Sequence, residues 1–281
     1  MLFRSERDCD IHQLLAGDDP PYDWLIEDLI ERGDRIILTG LEGRGKSTLL
    51  RQFAITTAAG LHPFTFEPID PLRVLYVDLE NSLRQIRRKA RPLYARVADQ
   101  IPDNTLIWHI RPHGLDLTES PDRGQLHGLC DIHRPDLLII GPIYKLHSGD
   151  PIEEKPAKQV ATFLDALRTE HGCALLIEAH TPYAGTTKGT RPERPYGASL
   201  WSRWPEFGIF LNETGALTHW RGQRDERNWP THLRRHLNNT WPWEIEHDTR
   251  QVKFADMLKL IEQLGYVPTY DEIGQQIGCD K

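Results

Sequence analysis

One octapeptide restricts this chain more than any other feature. Gly40-Leu41-Glu42-Gly43-Arg44-Gly45-Lys46-Ser47 follows an apolar run, Ile36-Ile37-Leu38, and opens a stretch from Lys46 to about Ala59 with helical character. It fits the pattern G-x-x-x-x-G-K-[ST] in the strand-loop-helix context that gives the pattern its physical meaning. Gly40, Gly43 and Gly45 let successive backbone N–H groups turn inward where a Cβ would crowd an anion, and the following helix adds its positive end. The candidate ligand is therefore a nucleoside triphosphate, ATP, held by residues 40–48, Thr48 included. Lys46 is expected to reach the β- and γ-phosphates and Ser47 to ligate Mg²⁺.

The rest of the chain alternates in the way such a loop requires. Apolar runs at Leu72–Val77, Leu106–Trp108, Leu137–Ile140 and Leu175–Ile177 read as buried strands. Between them, Ile86, Ala90, Leu93 and Val97, and later Val160, Phe163, Leu164 and Leu167, recur at helical spacing. This predicts an α/β fold with a mostly parallel sheet covered on both faces. Phe207–Leu211, the turn Asn212-Glu213-Thr214-Gly215 and Leu217–Trp220 predict an antiparallel hairpin at the sheet edge. Trp24, Leu25, Ile26, Leu29 and Ile30 predict a short amphipathic helix ending at Gly33. Residues 1–22 read as an N-terminal arm, 23–248 as the core domain and 249–281 as a small helical extension. Within that extension, 270–278 reads either as the start of a truncated winged-helix domain or as part of a helical pair.

Composition narrows the function classes. With 34 basic and 41 acidic residues among 281, the chain is mildly acidic, so any nucleic-acid contact must come from local patches. The four cysteines form no C-x-x-C pair, and His127, Cys130 and His133 lack a second half-site for zinc. No apolar run approaches the roughly 20 residues needed to cross a bilayer, and a cytoplasmic location is expected.

Asp78-Leu79-Glu80 closes the second core strand at its carboxyl end, where ligands bind in α/β sheets. With the glycine-rich loop and His180-Thr181 at the end of the fifth strand, this resembles the RecA-like P-loop ATPases, and more narrowly the hexameric-helicase branch of plasmid RepA and DnaB-type helicases. The resemblance spans roughly residues 23–245. It implies that Glu80 orients the attacking water as general base, although a carboxylate favouring the N-terminus of the next helix is the simpler alternative. It likewise implies that His180 senses the γ-phosphate, against an ordinary strand-end histidine. Arg221, Arg224 and Arg227 follow the hairpin strand, near where the family places an arginine finger acting across a subunit boundary, with Arg224 the first choice. Lys188, Arg191 and Arg194, and as a second candidate Lys145, His147 and Lys155, lie on loops that would face single-stranded DNA in a ring, most simply a hexamer. The cationic stretch Arg84, Arg87, Arg88, Lys89 and Arg91 reads instead as an exposed or subunit-facing surface.

The chain departs from that family in its Arg-x-x-Arg spacing, where Lys-x-Arg is usual, and at the end of the fourth strand. The strand Leu137–Ile140 runs into Gly141-Pro142, with glycine where an aspartate normally holds Mg²⁺ through water. Asp136 lies at the opposite end of the strand, roughly 16 Å away at strand rise. Asp78, two residues from Glu80 in an extended segment, is the expected substitute. The implied function is an ATP-driven motor on single-stranded DNA of the replicative-helicase type. A recombination or repair ATPase forming filaments, and a nucleotide-dependent DNA-binding regulator with little turnover, are the alternatives.

Overall fold

The computed structural model describes residues 10–16, 22–182, 192–222, 227–236, 241–246, 261–262 and 266. The chain divides into two compact units, Met1–Ile245 and Glu246–Lys281. The helical extension expected over 249–281, with its 270–278 segment, falls almost wholly outside the described residues.

The first unit is built on a seven-stranded sheet. After a short helix α1 (Ile11–Leu15) and a small hairpin of β1 (Trp24–Ile26) and β2 (Ile30–Glu31), the chain enters β3 (Arg35–Gly40) and helix α2 (Lys46–Ala58). Then follow β4 (Val74–Asp78), α3 (Leu83–Tyr94), β5 (Leu106–Ile110), α4 (Ser120–His133), β6 (Leu137–Gly141), α5 (Glu154–His171) and β7 (Ala174–Glu178). The hairpin β8 (Phe207–Leu211) and β9 (Leu217–Arg221) completes the sheet, and β10 (Leu233–Arg235) pairs with β11 (Trp243–Ile245) as a separate ribbon. The order is β5-β4-β6-β7-β3-β8-β9, with every neighbouring pair parallel except β8–β9. The predicted α/β core and the antiparallel edge hairpin are both present.

The unbroken apolar runs are explained by two cores, one on each sheet face. Ile36 and Leu38 of β3, Leu137 and Ile139 of β6, and Ala174 and Leu176 of β7 join the core beneath α2. Their alternating neighbours Ile37, Leu138, Ile140, Leu175 and Ile177 join the core beneath α4 and α5. A strand with period-two side chains buried on both faces has no polar side to show. Helix α2 is itself sandwiched: its interior is buried almost all round, Arg51 and Gln52 included.

Residues 24–30 are a correction to the sequence reading. They form the β1–β2 hairpin, in which Trp24 pairs with Glu31 and Ile26 with Ile30, not a helix. A run this short satisfies both periods, and the turn decides: Asp28 takes φ 54° and the Leu29 amide donates to the Ile26 carbonyl at 3.0 Å. Leu25, Ile26, Leu29 and Ile30 all pack into the core beneath α2.

Candidate nucleotide site

The loop between β3 and α2 wraps the head of the helix at the carboxyl ends of the strands. Gly43 (φ 71°) and Gly45 (φ 101°) have the left-handed backbone that an L side chain would strain. Gly45 is constrained a second time, since a Cβ there would lie 2.7 Å from the Trp243 ring of β11. That indole donates to the Gly45 carbonyl at 3.3 Å, and Gln52 of α2 brackets the Trp243 backbone with bonds of 2.9 and 2.6 Å. The ribbon β10–β11 thus braces the loop from outside.

Beside the loop lies a cavity of about 1070 Å³. Glu42, Gly43, Gly45, Lys46, Ser47 and Thr48 line one side of it, with Glu80 and His180 on the walls contributed from β4 and β7. Gly40 and Leu41 act through their carbonyls, which accept from Lys46 Nζ at 2.8 and 3.0 Å. Arg44 points away and pairs with Glu213 at 3.0 Å. Lys46 is 3 % exposed; burial pushes its ammonium pKa down, while Glu178, Glu80 and Glu42 pull the other way. A desolvated cation in a glycine-lined cradle is complementary to a phosphate.

Glu80 is exposed at the cavity wall, and its charge acts on Lys46, Glu178 and His180. His180 stands with Nδ1 4.0 Å from Glu42 and its ring 5.7 Å from that of Tyr144. Both its ring nitrogens are buried, with no hydrogen-bond partner among the described residues. Burial, then Lys46, holds its pKa below the ordinary histidine value.

Asp78 is not where the sequence reading put it. It is 2 % exposed and does not line the cavity, and its carboxylate accepts from the Glu80 and Asn81 amides at 3.1 and 2.8 Å and from Asn81 Nδ2 at 3.0 and 3.2 Å. It closes the turn that presents Glu80, because a short carboxylate at a strand end captures the free amides just beyond it. The acid that reaches the loop is one the sequence reading passed over. Glu178, the last residue of β7 and 5 % exposed, accepts from Ser47 Oγ at 2.8 Å. Burial pushes its pKa up, and Lys46 and the Ser47 bond counter this. The available signal was a glutamate ending an otherwise wholly apolar strand. Asp136, as expected, stays at the far end, held by Arg73 and Arg32.

The arginines separate. Arg227 is a correction: at 7 % exposure it is buried, 3.3 Å from Asp34, with its guanidinium over the rings of Phe207 and Trp24 at 4.7 and 4.8 Å. A cation so enclosed ties β1–β2 to the core and cannot reach a neighbouring subunit. Arg221 lies exposed at the end of β9, its Nε donating to the Pro205 carbonyl. Arg224, Lys188 and Arg191 lie outside the described residues, and Arg194 is exposed. The second loop candidate is tied down, with Lys145 Nζ donating to the Pro112 carbonyl at 2.8 Å and His147 6 % exposed. On α3, Arg84, Arg87, Arg88 and Arg91 are exposed and Lys89 stands at the cavity wall. Cys130 faces the core, whereas His127 pairs outward with Asp131 and Glu170, so these two do not form a common ligand set. Among the described residues no helix is long and apolar enough to cross a membrane.

Among solved structures the fold is similar to that of a KaiC-like protein, PH0186, from the hyperthermophilic archaeon Pyrococcus horikoshii OT3. The match has a TM-score of 0.51 at 16 % identity and covers 77 % of this chain and 92 % of that one. Among curated proteins, none matches the sequence. A family model described as an AAA domain matches residues 4–186. With its glycine-rich loop, its parallel RecA-like sheet and that match over more than half its length, the chain belongs to the AAA domain family AAA_25 of P-loop ATPases.

Proposed function

We propose that this protein is a Mg²⁺-dependent ATPase that couples hydrolysis to single-stranded DNA, working as a ring-forming motor of the RepA/DnaB helicase type. The observation that carries the ATPase reading is the placement of Lys46 and Ser47 on one side of a single cavity and Glu80 on another. Hydrolysis of a phosphoanhydride needs little covalent chemistry from the protein and much positioning. Lys46 neutralises the β- and γ-phosphates, the amides of the Gly43–Gly45 turn hold them, and Glu80 orients the attacking water and accepts its proton. Hydroxyl and carboxylate oxygens at the loop suit a hard cation such as Mg²⁺, which when bound offsets phosphate charge.

Coupling to DNA is supported by how β7 continues. His180 faces the cavity, and the Tyr196 amide donates to its carbonyl at 2.7 Å, which closes the base of the segment bearing Lys188, Arg191 and Arg194. A change at the terminal phosphate felt by His180 is thereby passed to a basic segment suited to a phosphodiester backbone. An arginine finger from Arg221 or Arg224 would require assembly, so hydrolysis should fall on dilution below the assembly threshold.

The test is ATP turnover with and without a single-stranded oligonucleotide across a salt series, alongside Glu80→Gln. Stimulation that fades as salt rises, and loss of turnover with nucleotide binding retained in Glu80→Gln, are expected. Turnover indifferent to DNA at every salt concentration would remove the DNA coupling and favour a nucleotide-dependent regulator. Full turnover in the variant would remove the role of Glu80.

A further inference from the structure

A RecA-like site needs an acid beside the loop serine, and the strand that normally carries it, β6, ends here in Gly141. Strands β6 and β7 are parallel neighbours with Ile140 opposite Ile177, which brings Gly141 alongside Glu178. On its other side β7 pairs with β3, with Leu38 opposite Glu178, so the glutamate stands one strand nearer the phosphate loop than Gly141 does. A Cβ built on Gly141 would lie 2.7 Å from the Glu178 Cβ and 3.0 Å from its backbone N and O. The two positions cannot both carry a side chain without a shift. We infer that the magnesium-holding acid of this ATPase has moved from the end of β6 to Glu178 at the end of β7, with Gly141 left bare to admit it.

The chemistry follows from the one contact made. Ser47 Oγ donates a hydrogen bond to the Glu178 carboxylate at 2.8 Å, which leaves the Oγ lone pairs for a cation. Glu178 also lines that cavity, where it would accept from a water on a bound cation. Glu178 is therefore a positioning residue, acting on the cation through Ser47 and water. The same swap accounts for Asp78, which is free to shape the Glu80 turn because the metal does not need it.

This inference rests on the nucleotide reading above, and the experiment separates the two. A fluorescent ATP analogue is titrated at equilibrium into wild type, Glu178→Gln and Gly141→Ala, first in EDTA and then across a Mg²⁺ series. The amide of Glu178→Gln preserves shape and still accepts from Ser47. Gly141→Ala leaves the acid chemically intact but presses on it, which covers the case in which the first variant fails to fold. In both variants binding in EDTA should be retained, while the Mg²⁺ concentration for half-maximal enhancement rises about 10- to 100-fold, the usual consequence of disturbing a residue that orients a metal ligand. A wild-type Mg²⁺ response in both variants would overturn the inference. So would an equal loss of binding with and without Mg²⁺, because Glu178 would then serve the cradle and not the cation. Wild type that retains no nucleotide under either condition would instead overturn the nucleotide reading itself.

Discussion

Three carboxylates at strand ends show how burial and partners assign different work to the same functional group. Asp78 is consumed by amides, Glu178 by Ser47, and Asp136 by arginines at the opposite pole of the sheet. Asp136 accepts from Arg73 Nε and Nη2 and the Arg73 amide at 2.9–3.0 Å and from Arg32 at 3.1 Å, clamping the starts of β4 and β6. Burial alone would raise its pKa, but the Arg73 hydrogen bonds, with help from Arg32, hold it below the ordinary value. A depressed folded-state pKa contributes stability above the unfolded value, and that contribution is lost as pH falls through the folded one. Asp136→Asn should cost about 1–3 kcal/mol in urea unfolding at pH 7, since it weakens the charge-assisted hydrogen bonds that Arg73 and Arg32 make to this buried carboxylate. The difference from wild type should shrink as the pH drops below about 4. A pH-independent difference would mean that shape, not charge, makes the contribution.

At the scale of elements, the ribbon β10–β11 is the piece whose purpose only packing reveals. Trp243 is 2 % exposed, lies against Gly45 and is pinned by Gln52 from the helix that the loop opens. Trp243→Ala should lower stability by about 3–5 kcal/mol, the usual range for an emptied aromatic site. It should also weaken nucleotide binding, because the left-handed backbone at Gly45 loses its brace. Unfolding by urea and binding of the ATP analogue check the two effects separately, and intact binding would show that the loop keeps its shape unaided. The β1–β2 hairpin teaches the same lesson from the other direction. Its apolar residues were legible as buried, but whether they wound or extended was settled by Asp28 at φ 54° and by the Arg227 cation stacked on Trp24, some 200 residues away along the chain.

Across the whole molecule, the sheet order places β3 between β7 and β8, so the phosphate loop opens near the centre of a continuous core and not at its rim. That core also encloses two thiols. Cys130 on α4 and Cys173 just before β7 are each 0 % exposed, and burial pushes Cys173 up to about 12 and Cys130 higher still. At pH 8 about one Cys173 in ten thousand would be thiolate, the reactive form. Peptide mapping after brief treatment with a maleimide should find both unmodified in native protein and both labelled in urea. Labelling of either under native conditions would mean that the α4–α5 face opens without global unfolding.

The sequence by itself determined the strand-loop-helix of the glycine-rich loop, the mostly parallel α/β class, the edge hairpin and the position of Glu80 just beyond a strand. Each of these is encoded within a few consecutive residues, through glycine backbone freedom, side-chain period or the position of an acid after an apolar run. Only the tertiary structure decided which acid serves the loop serine, which arginine is buried and what braces the loop. Those depend on strand order and register, which bring Glu178 to Ser47 and Gly141, Arg227 to Trp24, and Trp243 to Gly45. Such pairings are written in no local pattern, because hydrogen bonds and packing select neighbours in space without regard to their distance along the chain.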